Sequence, residues 1–419
     1  MTSNLAVRGG KPLRTQPFHP WPIFDEADRD RLVRVLEGGV WSGEGPRERE
    51  LERAFAARHD APDAVAVTNG TVSLLLCLRA LGVRPGDEVI VPALTWVATA
   101  TCVLEANAVP VMVDVDPKTF CIDPAAVNAA ITSRTVAIIP VHLYSCMADM
   151  DSLRRIAERH SLAIIEDCAH AHGARWRGKS AGSIGELGSF SFQSSKPMTA
   201  GEGGAIIGRD KALLDKVYSQ KNCGRHNAER GIAILGGNHR MTEWQAAILL
   251  GQLSRLDDLA ARREASIAKL RDAITGLPGI RIVADQPEVT QRPLYRLSFH
   301  YDARAAHDIP LQQFLEAVRA EGVPIEAAYR PVYDNPLYAD SIESVTWYPG
   351  KLRRDRCPTA DRVSFQSAFT LPHEVLLGPD EDLHDVARAM RKVLSNAAEA
   401  AGLSDRAKEK VKGLLRKVL

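Results

Sequence analysis

Ala64-Val-Ala-Val-Thr-Asn-Gly-Thr-Val-Ser-Leu-Leu-Leu-Cys-Leu-Arg-Ala-Leu81 decides the fold, because it opens a pattern that the chain then repeats. An unbroken apolar run, 64–67, meets a glycine turn and then a helical stretch, 72–81. Further apolar runs stand at 89–91, 109–113, 136–141 and 163–165, separated by helical stretches at 96–107, 124–131 and 150–160. Strands buried on both faces read as continuous apolar runs, and their alternation with helices specifies an α/β fold with a mainly parallel sheet. Ligands of such sheets bind beyond the carboxyl ends of the strands. The loops there carry Asn69-Gly70-Thr71, Pro92-Ala-Leu-Thr-Trp96, His142 and Glu166-Asp167-Cys-Ala-His170. Every distinctive polar cluster of the region therefore falls at one edge.

Outward from this core, residues 1–22 are rich in Gly, Pro and Arg and read as a surface arm. Amphipathic helices follow at 25–37, with Leu32, Val35 and Leu36 on one face, and at 46–59, opened by Pro46. Two long helices, 241–256 and 259–277, lead to a smaller α+β part. Its strands are 280–283 and 295–301, and its helices 311–321 and 380–394. The stretch 334–358 reads as loop. From Ser404 a basic amphipathic helix sets Val411, Leu414, Leu415 and Val418 on one side, as a docking helix would. The expected division is an arm (1–22), a large domain (23–256), a small C-terminal domain (257–394) and a helical tail (395–419).

Charge is balanced, 53 Lys+Arg against 52 Asp+Glu, so neither nucleic acid nor an acidic surface is indicated as partner. The seven cysteines are scattered and form no CxxC pair, which points away from a disulfide framework or a structural zinc site. No apolar run approaches the roughly 20 residues of a membrane span. These features point to a reducing, cytoplasmic compartment.

The chemistry centres on Ser191-Phe-Gln-Ser-Ser-Lys196-Pro-Met-Thr-Ala-Gly-Glu-Gly-Gly204, between two apolar strands. A lysine buried there has its charged form disfavoured, as a Schiff-base lysine requires; a surface lysine on a turn is the competing reading. Gly70 lets backbone approach a ligand, and the following helix N-terminus offers N–H groups to a phosphate. Strand–glycine–helix turns also arise for structural reasons alone. Ser191 could add a hydroxyl to the same anion. Asp167 closes an apolar strand and is costly there unless it meets a cation, a salt bridge or a helix N-terminus. Trp96 is either core or a flat wall against a ring. Taken together, these parts describe pyridoxal 5′-phosphate: an aldehyde on a lysine, a phosphate on a helix, a carboxylate on the ring nitrogen and an aromatic face. No GxGxxG follows any of the strands, and no Walker lysine motif is present, which sets nicotinamide and nucleotide readings aside.

At this point the chain resembles the fold-type I aminotransferases that aminate keto-sugars and cyclitols. The blocks that carry the resemblance run from Thr68-Asn-Gly-Thr71 through Pro85–Pro92 with Thr95-Trp96, Asp114-Val-Asp116, Pro140-Val-His-Leu-Tyr144 and Glu166-Asp-Cys-Ala-His170. They continue with Ser191–Lys196, Gly201-Glu-Gly-Gly204 and Gly237-Asn-His-Arg-Met-Thr-Glu243. The resemblance implies an aspartate-aminotransferase-like large domain with a seven-stranded sheet. It assigns Lys196 to covalent attachment of the cofactor and proton transfer, and Asp167 to the pyridine nitrogen. His170 would stand beside the phenolic oxygen, and Trp96 would stack on the ring. Gly70, Thr71 and Ser191 would hold the phosphate, with Asn238 reaching the phosphate in the neighbouring subunit of a homodimer with shared active sites.

Gln193 and the runs 95–100 and 109–124 look like the glutamine-dependent scyllo-inosose enzymes, whereas Cys223-Gly-Arg225 looks more like the aminohydroxybenzoate synthases. The expected reaction is therefore transamination from glutamine or glutamate to a keto-cyclitol or keto-sugar in natural-product biosynthesis. A nucleotide-linked keto-sugar ranks second as acceptor and a synthase-type reaction third. Basic residues available to a diphosphate are Arg225, His226 and Arg330, with Arg353, Arg354 and Arg356 farther on. A cofactor-holding regulatory protein without turnover is the rival from another class; it has no need of a proton-shuttling lysine.

Overall fold

The apolar runs assemble into a seven-stranded sheet in the computed structural model, which describes residues 4–227, 230–339 and 356–401. In chain order its first strands are β1 (Asp63–Val67), β2 (Glu88–Pro92), β3 (Val109–Val113), β4 (Thr135–Ile138) and β5 (Ala163–Asp167). A hairpin of β6 (Arg175–Trp176) and β7 (Lys179–Ser180) lies outside the sheet, which β8 (Leu187–Ser191) and β9 (Gly204–Gly208) then complete. The spatial order is β1-β9-β8-β5-β4-β2-β3. Strands β3, β2, β4, β5 and β8 run parallel, while β9 is antiparallel to both neighbours. The direct return from β8 to β9 permits that reversal, since only parallel neighbours need a long crossover. It also places Lys196 at the sheet edge where β1 and β5 end.

Alternate residues of each strand serve opposite faces, as a period of two demands. Ala64, Ala66, Ala205 and Ile207 join one apolar core, whereas Val65, Val67 and Ile206 join another. The helices of this part are α1 (Glu26–Gly38), α2 (Pro46–Arg58), α3 (Gly70–Ala80), α4 (Ala98–Glu105), α5 (Pro124–Ala130), α6 (Met150–His160), α7 (Lys211–Lys221) and α8 (Glu243–Ala273). Leu51 and Phe55 of α2 and Leu153 of α6 cover the first core; Leu74 of α3, Val103 of α4 and Leu214 of α7 cover the second.

One expectation fails at α8, where two helices prove to be a single one of 31 residues. Asp257 and Asp258 look like a break in the sequence, yet both simply lie on the exposed side, where Asp257 pairs with Arg58. A capping box between Thr242 and Gln245 starts the helix. At about 1.5 Å per residue it spans roughly 46 Å. Its Ala246, Leu249 and Leu256 pack in the first core, and its Ile267 and Leu270 pack in a third.

That third core belongs to an antiparallel sheet of order β10-β12-β14-β13, built from β10 (Ile280–Ile282), β12 (Arg296–Tyr301), β13 (Glu326–Ala327) and β14 (Ala368–Pro372). Phe314 of α9 (Leu311–Ala320) and Met390 of the helix Asp380–Ser395 pack into it. β11 (Val289–Gln291) pairs instead with β6, forming a small three-stranded sheet with β7. Within the stretch expected as loop, Pro336–Ala339 is a short helix and residues 340–355 lie outside those described. The expected basic helix from Ser404 also lies outside them. No helix among the described residues is long and apolar enough to cross a membrane.

Candidate active site

The carboxyl ends of β1, β5 and β8 open onto a cavity of about 660 Å³. At the end of β1, Asn69 caps α3 by accepting the Val72 N–H at 2.9 Å. A helix start leaves its first N–H groups without intrahelical partners, so those of Gly70 and Thr71 remain beside the cavity that both residues line. Gly70 has to be glycine, because a Cβ there would stand 2.6 Å from that of Ser191. The close approach brings the Ser191 hydroxyl to the start of α3. Anion-binding parts from two strands thus converge.

Lys196 is 9% exposed, with its Nζ 4.3 Å from the centre of the Tyr295 ring. Burial pushes its pKa below the ordinary lysine value, against the opposing pull of Tyr295 and Asp167. Its turn is shaped by Gln193, whose Oε1 accepts from the Ser195 N–H at 2.9 Å and from the Ser195 hydroxyl at 2.7 Å. The Gln193 Nε2 donates to Ser194 Oγ at 2.8 Å. Gln193 is thereby engaged within the turn that carries the lysine.

Asp167 is buried, and burial raises its pKa even though it accepts from Thr99 Oγ1 at 2.9 Å and from the Ala169 N–H at 3.1 Å. Behind it, Glu166 accepts from the N–H groups of Gly182, Ile184 and Gly185, and lies 3.1 Å from His142 Nε2. His142 Nδ1 accepts from the Ala148 N–H, so Nε2 carries the proton. His142, Glu166 and Cys168 lie close enough to hold an ion, but the Glu166 oxygens are already committed to this network. On the other side, His170 stacks on Tyr295 with ring centres 3.9 Å apart and accepts the Tyr144 N–H at Nδ1. Burial keeps His170 neutral, its pKa well below the ordinary value. Its remaining nitrogen, Nε2, therefore carries a proton to donate.

Seven of the expected site residues line this one cavity: Gly70, Thr71, Trp96, Asp167, His170, Ser191 and Lys196. Trp96 is 50% exposed there and tilts against Tyr329, 5.9 Å between centres. Asn238 is not in the lining; it is exposed and bridges to Asn222. Arg225, His226, Arg330 and Arg356 do not line the cavity either, while Arg353 and Arg354 lie outside the described residues. Sequence reasoning missed Thr99, Tyr295 and Tyr329. Thr99 stands four residues after Thr95 and bonds to it at 3.0 Å, a spacing that could have suggested the pair. The tyrosines come from the C-terminal half, with no local signal linking them to the lysine.

The DegT/DnrJ/EryC1/StrS aminotransferase family matches residues 22–391 of this chain. The chain belongs to that family. This aminotransferase is 41% identical over 425 residues to an L-glutamine:2-deoxy-scyllo-inosose aminotransferase of Streptomyces fradiae, covering 96% of this chain and 100% of that one. It is 40% identical over 425 residues to an L-glutamine:scyllo-inosose aminotransferase of Streptomyces griseus, again covering 96% and 100%. Among solved structures, a 3-amino-5-hydroxybenzoic acid synthase superposes with a TM-score of 0.82 at 34% identity, covering 91% of this chain and 100% of that one. Members of the family are pyridoxal phosphate enzymes. The residues present fit such a group: the Gly70–Ser191 approach leaves a cradle that a side chain would fill, and a buried lysine and a buried carboxylate face one cavity.

Proposed function

We propose that this aminotransferase moves the α-amino group of glutamine to the ketone of a neutral cyclitol, using pyridoxal 5′-phosphate carried by Lys196. The observation that carries the substrate choice is the charge of the cavity. Among the described residues lining it, Lys196 is the only lysine or arginine, and Glu202 adds a negative charge. A nucleotide-linked sugar brings a diphosphate, which calls for paired cations. With Lys196 committed to the cofactor, none of the described lining residues supplies one. A polyhydroxylated neutral ring needs only hydrogen bonds, which Tyr295, Tyr329 and Thr95 can offer. The names of the relatives support both glutamine and an inosose acceptor.

When bound, the cofactor supplies an electron sink that acidifies the carbon bearing the amine. Lys196 Nζ, favoured in its neutral form by burial, would hold the aldehyde and would take up and return a proton as the general acid–base of the site. Asp167 would hold the pyridine nitrogen in its protonated form, and His170 would offer its Nε2–H to the phenolic oxygen. Gly70, Thr71 and Ser191 would hold the phosphate, and Trp96 would supply the aromatic face for the ring and exclude water from it. Asn238, exposed and outside this cavity, is assigned to the partner subunit's site in a homodimer. The switch of α8 from one core to another between Leu256 and Ile267 supports a large domain over 23–256 and a small one over 257–394.

Glutamine labelled with ¹⁵N at the α-amino position tests the reading. Label should appear in the aminated cyclitol from scyllo-inosose, with kcat/KM at least about a hundredfold above that for a nucleotide-linked keto-sugar. Preference for the nucleotide-linked ketone would overturn it.

A further inference from the structure

Arg263, on α8, is 1% exposed and makes no ion pair among the described residues. Its Nε has no partner, and its Nη2 donates to His373 Nδ1 at 3.0 Å. Burial of this guanidinium outweighs the pull of the nearby Glu374 carboxylate, which makes no direct bond to it, so its place calls for a reason. Arginine can only donate, which makes His373 Nδ1 the acceptor and leaves the ring proton on Nε2. That Nε2 stands 3.1 Å from the carbonyl oxygen of Ser195, the residue before Lys196. The Trp21 ring meets His373 edge-on at 4.6 Å and lies 5.3 Å from the Arg263 guanidinium carbon. Its Nε1–H donates to the carbonyl of Ser194 at 3.1 Å. Two consecutive carbonyls ahead of the lysine are thus held by side chains from opposite ends of the chain. None of the three lines the cavity.

We propose that Arg263 and His373 form a positioning relay that orients the His373 Nε2–H onto Ser195 and, together with Trp21, sets the direction of Lys196. The inference rests on Lys196 being the reacting amine. Arg263 fixes the tautomer, His373 fixes the peptide, and the peptide fixes where Nζ can reach. Orientation of this kind acts on the chemical step and leaves substrate binding alone.

The test compares His373→Phe, which keeps a ring without the N–H, with His373→Gln, whose amide N–H can reach the same carbonyl. Both are measured on the cofactor-loaded full chain. For His373→Phe, kcat should fall about tenfold or more, with KM for each substrate within about twofold. Amide exchange in the peptide spanning 193–198 should speed up, because the Lys196 N–H bond to the Gln193 carbonyl depends on the same turn. His373→Gln should restore most of both. Unchanged kcat and exchange in His373→Phe, or a folded His373→Gln as slow as the Phe variant, overturns the relay and leaves a packing role. If His373→Phe does not fold, Trp21→Phe decides. That variant keeps a ring and removes one N–H, so lower kcat with faster exchange supports the clamp and wild-type values contradict it. The exchange readout is independent of turnover, so it separates failure of the relay from failure of the assignment of Lys196.

Discussion

Burial lowers the pKa of Lys196 from an ordinary value of 10.5, so the folded chain binds that proton less tightly than the unfolded chain does. Stability therefore rises with pH wherever the unfolded state holds more protons. The cost is largest below the folded-state pKa and disappears as pH climbs past 10.5. Lys196→Met should consequently raise the Tm of the cofactor-free protein at pH 7, by roughly 1 °C for each kcal/mol recovered in a chain of 419 residues. The gap should close toward pH 10.5, while turnover is lost at every pH. Thermal melts across pH check this, and a Tm difference independent of pH contradicts it. Asp167→Asn addresses the second buried group. It should lower kcat at least a hundredfold, about 2.7 kcal/mol of barrier, yet leave cofactor retained through gel filtration, since the phosphate is held elsewhere. Both residues were legible in the sequence because a charge set in apolar surroundings stands out locally. Tyr295, which faces Lys196, and Thr99, which bonds Asp167, were not, because their importance comes from packing across the fold.

Strands β1 to β5 and the helices between them follow from apolar runs and glycine turns, which are local signals. The hairpin β6–β7, the two-residue β13 and the edge partner β11 are too short to carry a period. The single helix α8 escaped for a different reason: a pair of aspartates marks a solvated face as readily as a turn. Its packing gives a direct check. Gly251 lies where α8 meets Asp28 of α1, and a Cβ there would stand 1.7 Å from the Asp28 carboxylate. Asp28 is in turn held by Arg31 and Arg255. Gly251→Ala should therefore destabilise the fold by about 1–3 kcal/mol through overpacking, read as a lower denaturant midpoint. An unchanged midpoint would mean that α1 moves aside freely.

The expected homodimer rests on the resemblance alone, since nothing about Asn238 in the sequence says which subunit it serves. In this chain it stands exposed and outside the cavity. If it completes the neighbour's site, Lys196→Ala and Asn238→Ala proteins, each weak alone, should complement when mixed and allowed to exchange subunits. Random pairing gives about a quarter of native activity, from one intact site in each mixed two-fold dimer. Activity that stays at the sum of the separate proteins would contradict shared sites. The substrate choice was not legible from charge counting along the chain, because Arg225 and Arg330 turn out not to line the cavity. The proposed choice rests instead on which side chains the fold gathers around the cavity. The most direct measurement follows the visible absorbance of the cofactor-loaded enzyme through two half-reactions. Glutamine should deplete the band, and scyllo-inosose, added after the glutamine is removed, should restore it, while a nucleotide-linked keto-sugar does so at least a hundred times more slowly, about 2.7 kcal/mol. Rapid restoration by the nucleotide-linked sugar, with none by the cyclitol, would contradict the account.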